Sequence, residues 1–132
     1  MSSPSPPTSS FKSSGGVRRV YGALRYSMAG LRSAIRHEAA FRQELALALV
    51  MVPAAFFLGR SLIEIALLVL SVIAVLVVEL INSAVEALAD AITLDTHPLI
   101  GRAKDLGSAA VMLSLLASGA LWISVVLSRF VL

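Results

Sequence analysis

The chain has no cysteine, few charged residues and few aromatic residues among its 132 positions. Without thiolates it can form neither a disulfide framework nor a zinc–thiolate site. Charged residues make up only 14% of the chain and apolar residues 58%, whereas globular proteins have roughly 25% and roughly 45–50%. With this composition, a soluble domain of this size would have too few polar residues to cover its surface. The composition excludes a water-soluble enzyme and a disordered chain, and it predicts a small integral membrane protein.

Acidic residues are missing from the first part of the chain. The net charge is +3, from 11 Lys and Arg against 8 Asp and Glu, and the first acid is Glu38. Six basic residues precede it, namely Lys12, Arg18, Arg19, Arg25, Arg32 and Arg36. A basic block beside apolar segments indicates contact with anionic lipid headgroups. Because these cations flank a membrane segment and are not interleaved with exposed aromatic residues, we expect no nucleic-acid partner.

The first third of the chain has two parts of different character. Ser, Pro, Gly and Thr fill 13 of the first 16 positions, which predicts a disordered tail over 1–16. The first long apolar run begins only at Leu45, too late for a secretory signal. Between 17 and 36, apolar residues recur at helical spacing beside a row of arginines, a pattern typical of a helix lying in the membrane interface. We therefore predict one membrane domain over 17–132 that opens with an amphipathic surface helix at 17–36.

Three apolar segments follow, and we predict membrane-spanning helices at 39–58, 61–90 and 106–128. The last has 23 residues without a charge, enough to cross ~30 Å of hydrocarbon. A polar loop at 91–104 separates the second span from the third. With the N-terminus and this loop on one side, that side carries nine Lys and Arg, and the other carries only Arg60 and Arg129. The predicted fold is all-α with a cytoplasmic N-terminus and a cytoplasmic loop.

The second predicted span carries polar residues on one helical face, because they follow helical spacing. They are Glu79, Asn82, Ser83, Glu86 and Asp90. A carboxylate in a membrane helix costs on the order of 3 kcal/mol unless it is paired or hydrated. One interpretation is a metal or proton function, in which a cation such as Mg²⁺ removes the repulsion between the acids. The other is packing, since polar residues also bond neighbouring helices; the spacing leaves both open.

Two further polar segments face the same compartment. Glu38 begins the string Glu-Ala-Ala-Phe-Arg-Gln-Glu and is either a functional carboxylate or the partner of Arg42 in an ordinary i,i+4 pair. The string Gly-Arg-Ala-Lys-Asp-Leu-Gly-Ser at 101–108 is either a phosphate-binding helix start or a positively charged membrane boundary. No P-loop motif and no soluble protein-kinase signature occurs in the chain.

Three strings together resemble the bacterial membrane diacylglycerol kinase family. They are His-Glu-Ala-Ala-Phe-Arg-Gln-Glu at 37–44, Glu-Leu-Ile-Asn-Ser-Ala-Val-Glu-Ala at 79–87 and Gly-Arg-Ala-Lys-Asp-Leu-Gly-Ser-Ala-Ala at 101–110. The resemblance extends from Arg19 to the C-terminus. It implies a homotrimer in the bacterial inner membrane, each subunit having a surface helix and three membrane helices, with composite sites shared between subunits. It also implies transfer of the ATP γ-phosphoryl group to the hydroxyl of diacylglycerol, which gives phosphatidic acid.

The resemblance further implies roles for individual residues. Glu79 corresponds to the general base, Asn82 to a polar residue of the catalytic centre, and Glu38 and Glu86 to the carboxylates that hold Mg²⁺ with ATP. The implied nucleotide-binding positions are Arg19, Tyr26, Glu38, Glu86, Asp95, Thr96, His97, Lys104 and Asp105. The implied positions at the lipid substrate are Arg19, Gln43, Glu79 and Ser108.

Two alternatives stay open from the sequence. A sister activity, phosphorylation of undecaprenol, shares the Glu79, Asn82 and Glu86 core, although the match over 38–44 favours diacylglycerol. The alternative from another class is a non-enzymatic transporter or structural oligomer, in which the polar residues serve packing. That alternative predicts no ATP turnover.

Overall fold

The computed structural model describes residues 16–131, which form four α-helices. They are α1 (Gly16–His37), α2 (Ala39–Leu58), α3 (Leu62–Ile92) and α4 (Pro98–Phe130). The chain divides into two units, Met1–Ser33 and Ala34–Leu132. The predicted disordered tail of 1–16 lies outside the described residues, apart from Gly16, which begins α1.

Helix α1 makes up the described part of the first unit and extends four residues beyond it. Most of its apolar side chains are exposed, including Val17 at 87% and Tyr21 at 70%, and Ala34 is buried. The helix covers the predicted range of 17–36 and is one residue longer at each end. Arg36 and His37 occupy its last turn, where positive charge offsets the partial negative charge of the terminal carbonyl groups.

Helices α2, α3 and α4 are each long and apolar enough to cross a membrane. Helix α3 packs against both α2 and α4, and their shared core is formed by Ala48, Ala55, Leu68, Val72 and Trp122. Small residues on α2 let its backbone approach α3, which is the usual means of close packing between membrane helices. The predicted all-α membrane fold is therefore confirmed, and α2 occupies the residues of the first predicted span.

The linker before α4 is shorter than the sequence indicates. We expected a polar loop over 91–104, but α3 continues to Ile92 and α4 begins at Pro98. The His97 side chain caps α4, since its Nδ1 atom accepts a hydrogen bond from the backbone N–H of Leu99 at 3.3 Å. Proline suits the first turn because its missing N–H would be unpaired there in any case. The predicted loop is wrong over 91–92 and 98–104, because polar residues at a capped helix start are compatible with a loop as well as with a first helical turn.

Candidate active site

The centre of the candidate site is the polar face of α3. Glu79, Asn82 and Ser83 are buried, at 4%, 8% and 9% exposure, and Glu86 one turn further along is half-buried. The Asn82 side-chain amide donates a hydrogen bond from Nδ2 to Glu86 Oε1 at 3.2 Å. The polar face predicted from spacing therefore turns into the protein, where it can act on a bound molecule.

Four carboxylates gather at this face, from α2, α3 and the residue directly before α2. Glu38, directly before α2, and Glu86 both lie within electrostatic range of Glu79. Glu79 in turn lies within electrostatic range of Glu44 on α2. Like charges within electrostatic range repel one another, so a cation or protons would stabilise this group of carboxylates.

Glu38 is not held by the helical ion pair that the sequence left open. Arg42 donates from its guanidinium to two backbone carbonyl groups at the end of α1, Ile35 O at 3.1 Å and Arg36 O at 3.3 Å. No ion pair joins Glu38 to Arg42 in the described part of the chain. Glu38 is half-buried. Because it is not paired with Arg42, its carboxylate is free to act together with the other acidic residues near Glu79.

Several buried polar atoms in this region have no hydrogen-bond partner among residues 16–131. They are Glu44 Oε2, Asn82 Oδ1 and Ser83 Oγ. An unpaired buried polar group costs about 1–3 kcal/mol, and such groups in native proteins indicate a ligand, a water molecule or a partner chain. Glu44 was not among the predicted site residues. The available signal was a carboxylate near the start of a predicted membrane-spanning helix, at the end of the string 37–44.

A second part of the site lies where α3, the linker and α4 meet. Lys104 Nζ forms an ion pair with Asp90 Oδ1 at 3.0 Å, and Lys104 is also within electrostatic range of Glu86. An open cavity of about 500 Å³ is lined by side chains of this region, including Asp90, Asp95, Thr96, His97 and Lys104. The fold thus brings four predicted nucleotide-binding residues around one cavity.

The linker that lines this cavity is fixed by two local hydrogen bonds. The backbone N–H of Asp95 donates to Thr93 Oγ1 at 3.0 Å, and His97 caps α4. Side-chain caps of this kind supply partners for backbone groups that a turn and a helix start leave unpaired. They give the short connection a defined path between the two membrane helices.

Other predicted residues have exposed side chains in the single chain. Gln43 on α2 and Asp105 and Ser108 on α4 have exposed side chains. Arg19 and Tyr26 lie on α1 in the first unit, and both are exposed. One chain therefore assembles Glu38, Glu79, Asn82, Glu86 and Lys104, together with the linker residues 95–97.

Gly107 is a contact of the site that sequence reasoning missed. A Cβ atom at this position would collide with Asn82 Oδ1, so the backbone of α4 lies directly against the amide of α3. The available signal was a glycine inside a helical, motif-bearing segment, where glycine is unfavourable without a packing reason.

The site offers oxygen ligands and no dedicated metal cage. No group of three or more His, Cys, Asp or Glu side chains within 16–131 is arranged to hold a metal ion. Mg²⁺ is commonly bound by one or two carboxylates together with substrate phosphates. The pair Glu38 and Glu86, beside Glu44 and Glu79, which form no ion pair within 16–131, is a donor set that fits this mode.

The fold and the site define an all-α membrane protein with a carboxylate-lined polar centre. The family model for prokaryotic diacylglycerol kinase matches residues 25–126. A diacylglycerol kinase of Haemophilus influenzae is 46% identical over 107 residues, which cover 81% of this chain and 91% of the relative. One from Pseudomonas aeruginosa is 44% identical over 125 residues, 95% of this chain and 98% of the relative. One from Escherichia coli K12 is 44% identical over 115 residues, 87% and 94% of the two chains.

The chain belongs to the prokaryotic diacylglycerol kinase family. The resemblance inferred from the three strings is confirmed, as are a kinase function and a location in a bacterial membrane. Family membership also favours the enzymatic interpretation of the polar face on α3 over the interpretation as packing alone.

Proposed function

We propose that the chain transfers the γ-phosphoryl group of ATP to the free hydroxyl of diacylglycerol, with phosphatidic acid and ADP as products. The observation that carries the proposal is the group of carboxylates on the buried face of α3, in a chain of this family. Proteins named diacylglycerol kinase are 46% and 44% identical to it over most of its length. This similarity supports diacylglycerol over undecaprenol as the lipid substrate.

Glu79 is the general base of the proposed reaction. Its carboxylate is buried within α3, in the part of the chain that a lipid hydroxyl would reach from the bilayer. Phosphoryl transfer needs a positioned nucleophile and a group that takes its proton. A Glu79 oxygen accepts the hydroxyl proton, the hydroxyl oxygen bonds to the γ-phosphorus, and the bond from that phosphorus to the β–γ bridging oxygen breaks to release ADP.

Glu38 and Glu86 would hold Mg²⁺ together with ATP. When bound, the ion neutralises charge on the phosphates. Asn82 holds one Glu86 oxygen through its amide, which fixes the direction in which that carboxylate points. Lys104 adds a positive point charge for the phosphates.

The remaining predicted residues bind the substrates around this centre. Asp95, Thr96, His97 and Asp105, together with Arg19 and Tyr26 of α1, contact the nucleotide in this proposal. Gln43, Ser108 and Arg19 contact the lipid. The cavity beside the linker supports the nucleotide part, since it is open to water and lined by polar side chains.

The proposed assembly is a homotrimer in the bacterial inner membrane, with the N-terminus in the cytoplasm. The basic residues favour this orientation, and ATP is available on that side. The buried unpaired atoms of Glu44, Asn82 and Ser83 and the exposed positions of Gln43, Asp105 and Ser108 support sites completed by a neighbouring subunit.

The substitution Glu79→Gln tests the base, because it removes the carboxylate and keeps the size of the side chain. We expect ATP-dependent phosphorylation of a short-chain diacylglycerol to fall by about 100-fold or more, the usual contribution of a general base. Glu64→Gln is the control in the same helix, since Glu64 lies at the opposite end of α3 and bonds to Arg60. Wild-type rates in the Glu79→Gln variant would remove Glu79 from the proposed role.

The choice of lipid is tested with the wild-type protein. Membranes that contain it are supplied with labelled ATP and with either diacylglycerol or undecaprenol. Faster labelling of diacylglycerol is the expected result. Faster labelling of undecaprenol would replace the proposed substrate while leaving the lipid kinase reaction unchanged.

A further inference from the structure

The approach of α4 to the polar face of α3 is closest at Gly107. A Cβ atom there would collide with Asn82 Oδ1 and lie 3.4 Å from Asn82 Cγ. Gly101 and Gly119 lie on the same helix, and a Cβ atom at either position would meet nothing within 4 Å. Of these three glycines of α4, only Gly107 lies so close to a neighbouring side chain that a Cβ atom would collide with it.

The side chain that packs against Gly107 is that of Asn82, which also forms the hydrogen bond to Glu86. Asn82 is 8% exposed, and its Nδ2 atom donates to Glu86 Oε1. Its Oδ1 atom faces Gly107 and has no hydrogen-bond partner among residues 16–131. The α4 backbone therefore limits the space around the amide oxygen on one side of the side chain. On the other side, Glu86 accepts a hydrogen bond from the amide nitrogen.

Glycine inside a helix destabilises it relative to alanine, so helix propensity alone does not favour Gly107. An alanine would strengthen α4 and would require the Asn82 amide to move. The contact also sets α4 against α3 one turn from Lys104, whose ammonium group pairs with Asp90 across the same two helices.

We propose that Gly107 is a positioning residue for phosphoryl transfer. The missing side chain lets the α4 backbone close on Asn82 and keeps its amide in the orientation that donates to Glu86. This inference rests on the proposed function, in which Glu86 holds Mg²⁺ with ATP. A methyl group at position 107 displaces the amide, so the carboxylates remain but the Glu86 oxygen loses its fixed direction. A displacement of about 1 Å at such a site can reduce rates by roughly 100-fold.

The first test compares Gly107→Ala with Gly119→Ala in the full-length protein in detergent micelles. Both changes replace a helical glycine of α4 by alanine, and only the first meets a side chain. We expect Gly107→Ala to lower kcat by at least about tenfold and to raise the Mg²⁺ concentration for half-maximal rate. Gly119→Ala should stay within about twofold of the wild type in both quantities. Equal behaviour of the two variants would overturn the proposal.

The second test asks whether the effect passes through Asn82. In the Asn82→Ala background there is no amide to displace, so adding Gly107→Ala should cause no further loss of kcat. Residues coupled in this way give non-additive losses, whereas independent sites give additive ones. Additive losses would contradict the proposal. If Gly107→Ala alone does not fold, recovery of folded protein in the double variant supports the same contact, and failure of both variants to fold opposes it.

A third measurement does not depend on activity. The ¹⁵N-labelled side-chain amide of Asn82 should shift its NMR signal in Gly107→Ala and not in Gly119→Ala. An unmoved signal would overturn the contact even if the wild-type enzyme is active. A wild-type protein that phosphorylates no lipid would instead contradict the proposed function, and the shifted signal would still support the contact.

Discussion

At the residue scale, the site is unusual because polar side chains are buried inside a membrane helix. Glu79, Asn82 and Ser83 are buried in a mostly apolar helix, and two of them have an atom without a hydrogen-bond partner in the described range. Such groups lower stability by about 1–3 kcal/mol each, so a chain keeps them where chemistry or a neighbouring subunit requires them. The α3 polar face is therefore where we expect substitutions to affect activity more than folding.

Glu86→Gln separates the metal role from the role of the base. Glutamine keeps the size of the side chain and loses the charge that would bind Mg²⁺. We expect the Mg²⁺ concentration for half-maximal rate to rise by about tenfold or more, because Glu38 and the nucleotide phosphates must then hold the ion without the second carboxylate. The measurement is the initial rate as a function of free Mg²⁺ at saturating lipid. A Mg²⁺ dependence like that of the wild type would exclude Glu86 from this role.

At the scale of helices, α3 and α4 are joined by a hydrogen-bonded serine within the apolar region. Ser71 Oγ accepts hydrogen bonds from Ser118 Oγ at 3.1 Å and from Trp122 Nε1 at 3.3 Å. It donates its own hydrogen to the Leu68 carbonyl group at 2.8 Å. Because lipid offers no competing partners, such bonds hold membrane helices together.

Ser71→Ala tests this connection, since it removes the acceptor of two donors. We expect the free energy of unfolding to fall by about 1 kcal/mol, measured by denaturant titration in mixed micelles, with activity retained under mild conditions. Ser124→Ala is the matched control, because Ser124 Oγ donates its hydrogen bond to the Ala120 carbonyl group of its own helix. A loss of stability no larger than that of the control would show that this serine contributes nothing to helix association.

At the scale of the whole molecule, orientation and assembly decide where the chemistry takes place. The exposed apolar side chains on all three long helices would be covered by lipid or by neighbouring subunits. The net basic character of one side predicts which end meets the cytoplasm. Both properties can be measured without reference to the reaction.

The orientation is tested by cysteine labelling, because the natural chain has no cysteine. Leu62→Cys lies at the start of α3 and Leu94→Cys in the linker, and these side chains are 81% and 88% exposed. We expect a membrane-impermeant maleimide to label Leu62→Cys in intact cells. It should label Leu94→Cys only after the cells are permeabilised. The reverse pattern would invert the proposed topology.

Shared sites are tested by mixing subunits. Glu79 is buried in α3, whereas Asp105 is exposed on α4, and in the proposed trimer one site takes these residues from different subunits. We expect Glu79→Gln and Asp105→Asn to be inactive separately. If one site takes these residues from different subunits, equal random mixing restores about a quarter of the sites in a cyclic oligomer. The two variants are unfolded, mixed and reassembled together. If no activity is recovered, each subunit carries a complete site.

The helices themselves could be predicted because hydrophobic length and period are local properties. Helix α2 has the bounds expected for the first span, and the polar face of α3 followed from spacing alone. The start of α4 at Pro98 was missed, because a capping side chain and a proline are compatible with both a loop and a first helical turn. Glu44 and Gly107 were missed as site residues since their importance depends on what another helix brings against them.

The order of the amino acids alone determined that this chain enters a membrane, which face of α3 is polar and which family the chain belongs to. Those properties depend on the transfer free energy of side chains and on motifs that can be found without coordinates. Only the tertiary structure decided that Arg42 caps α1 instead of pairing with Glu38. It also decided that α4 rests its backbone on the Asn82 amide. Both outcomes depend on how close groups from different helices come to one another, and the spacing of residues along one helix does not determine those distances.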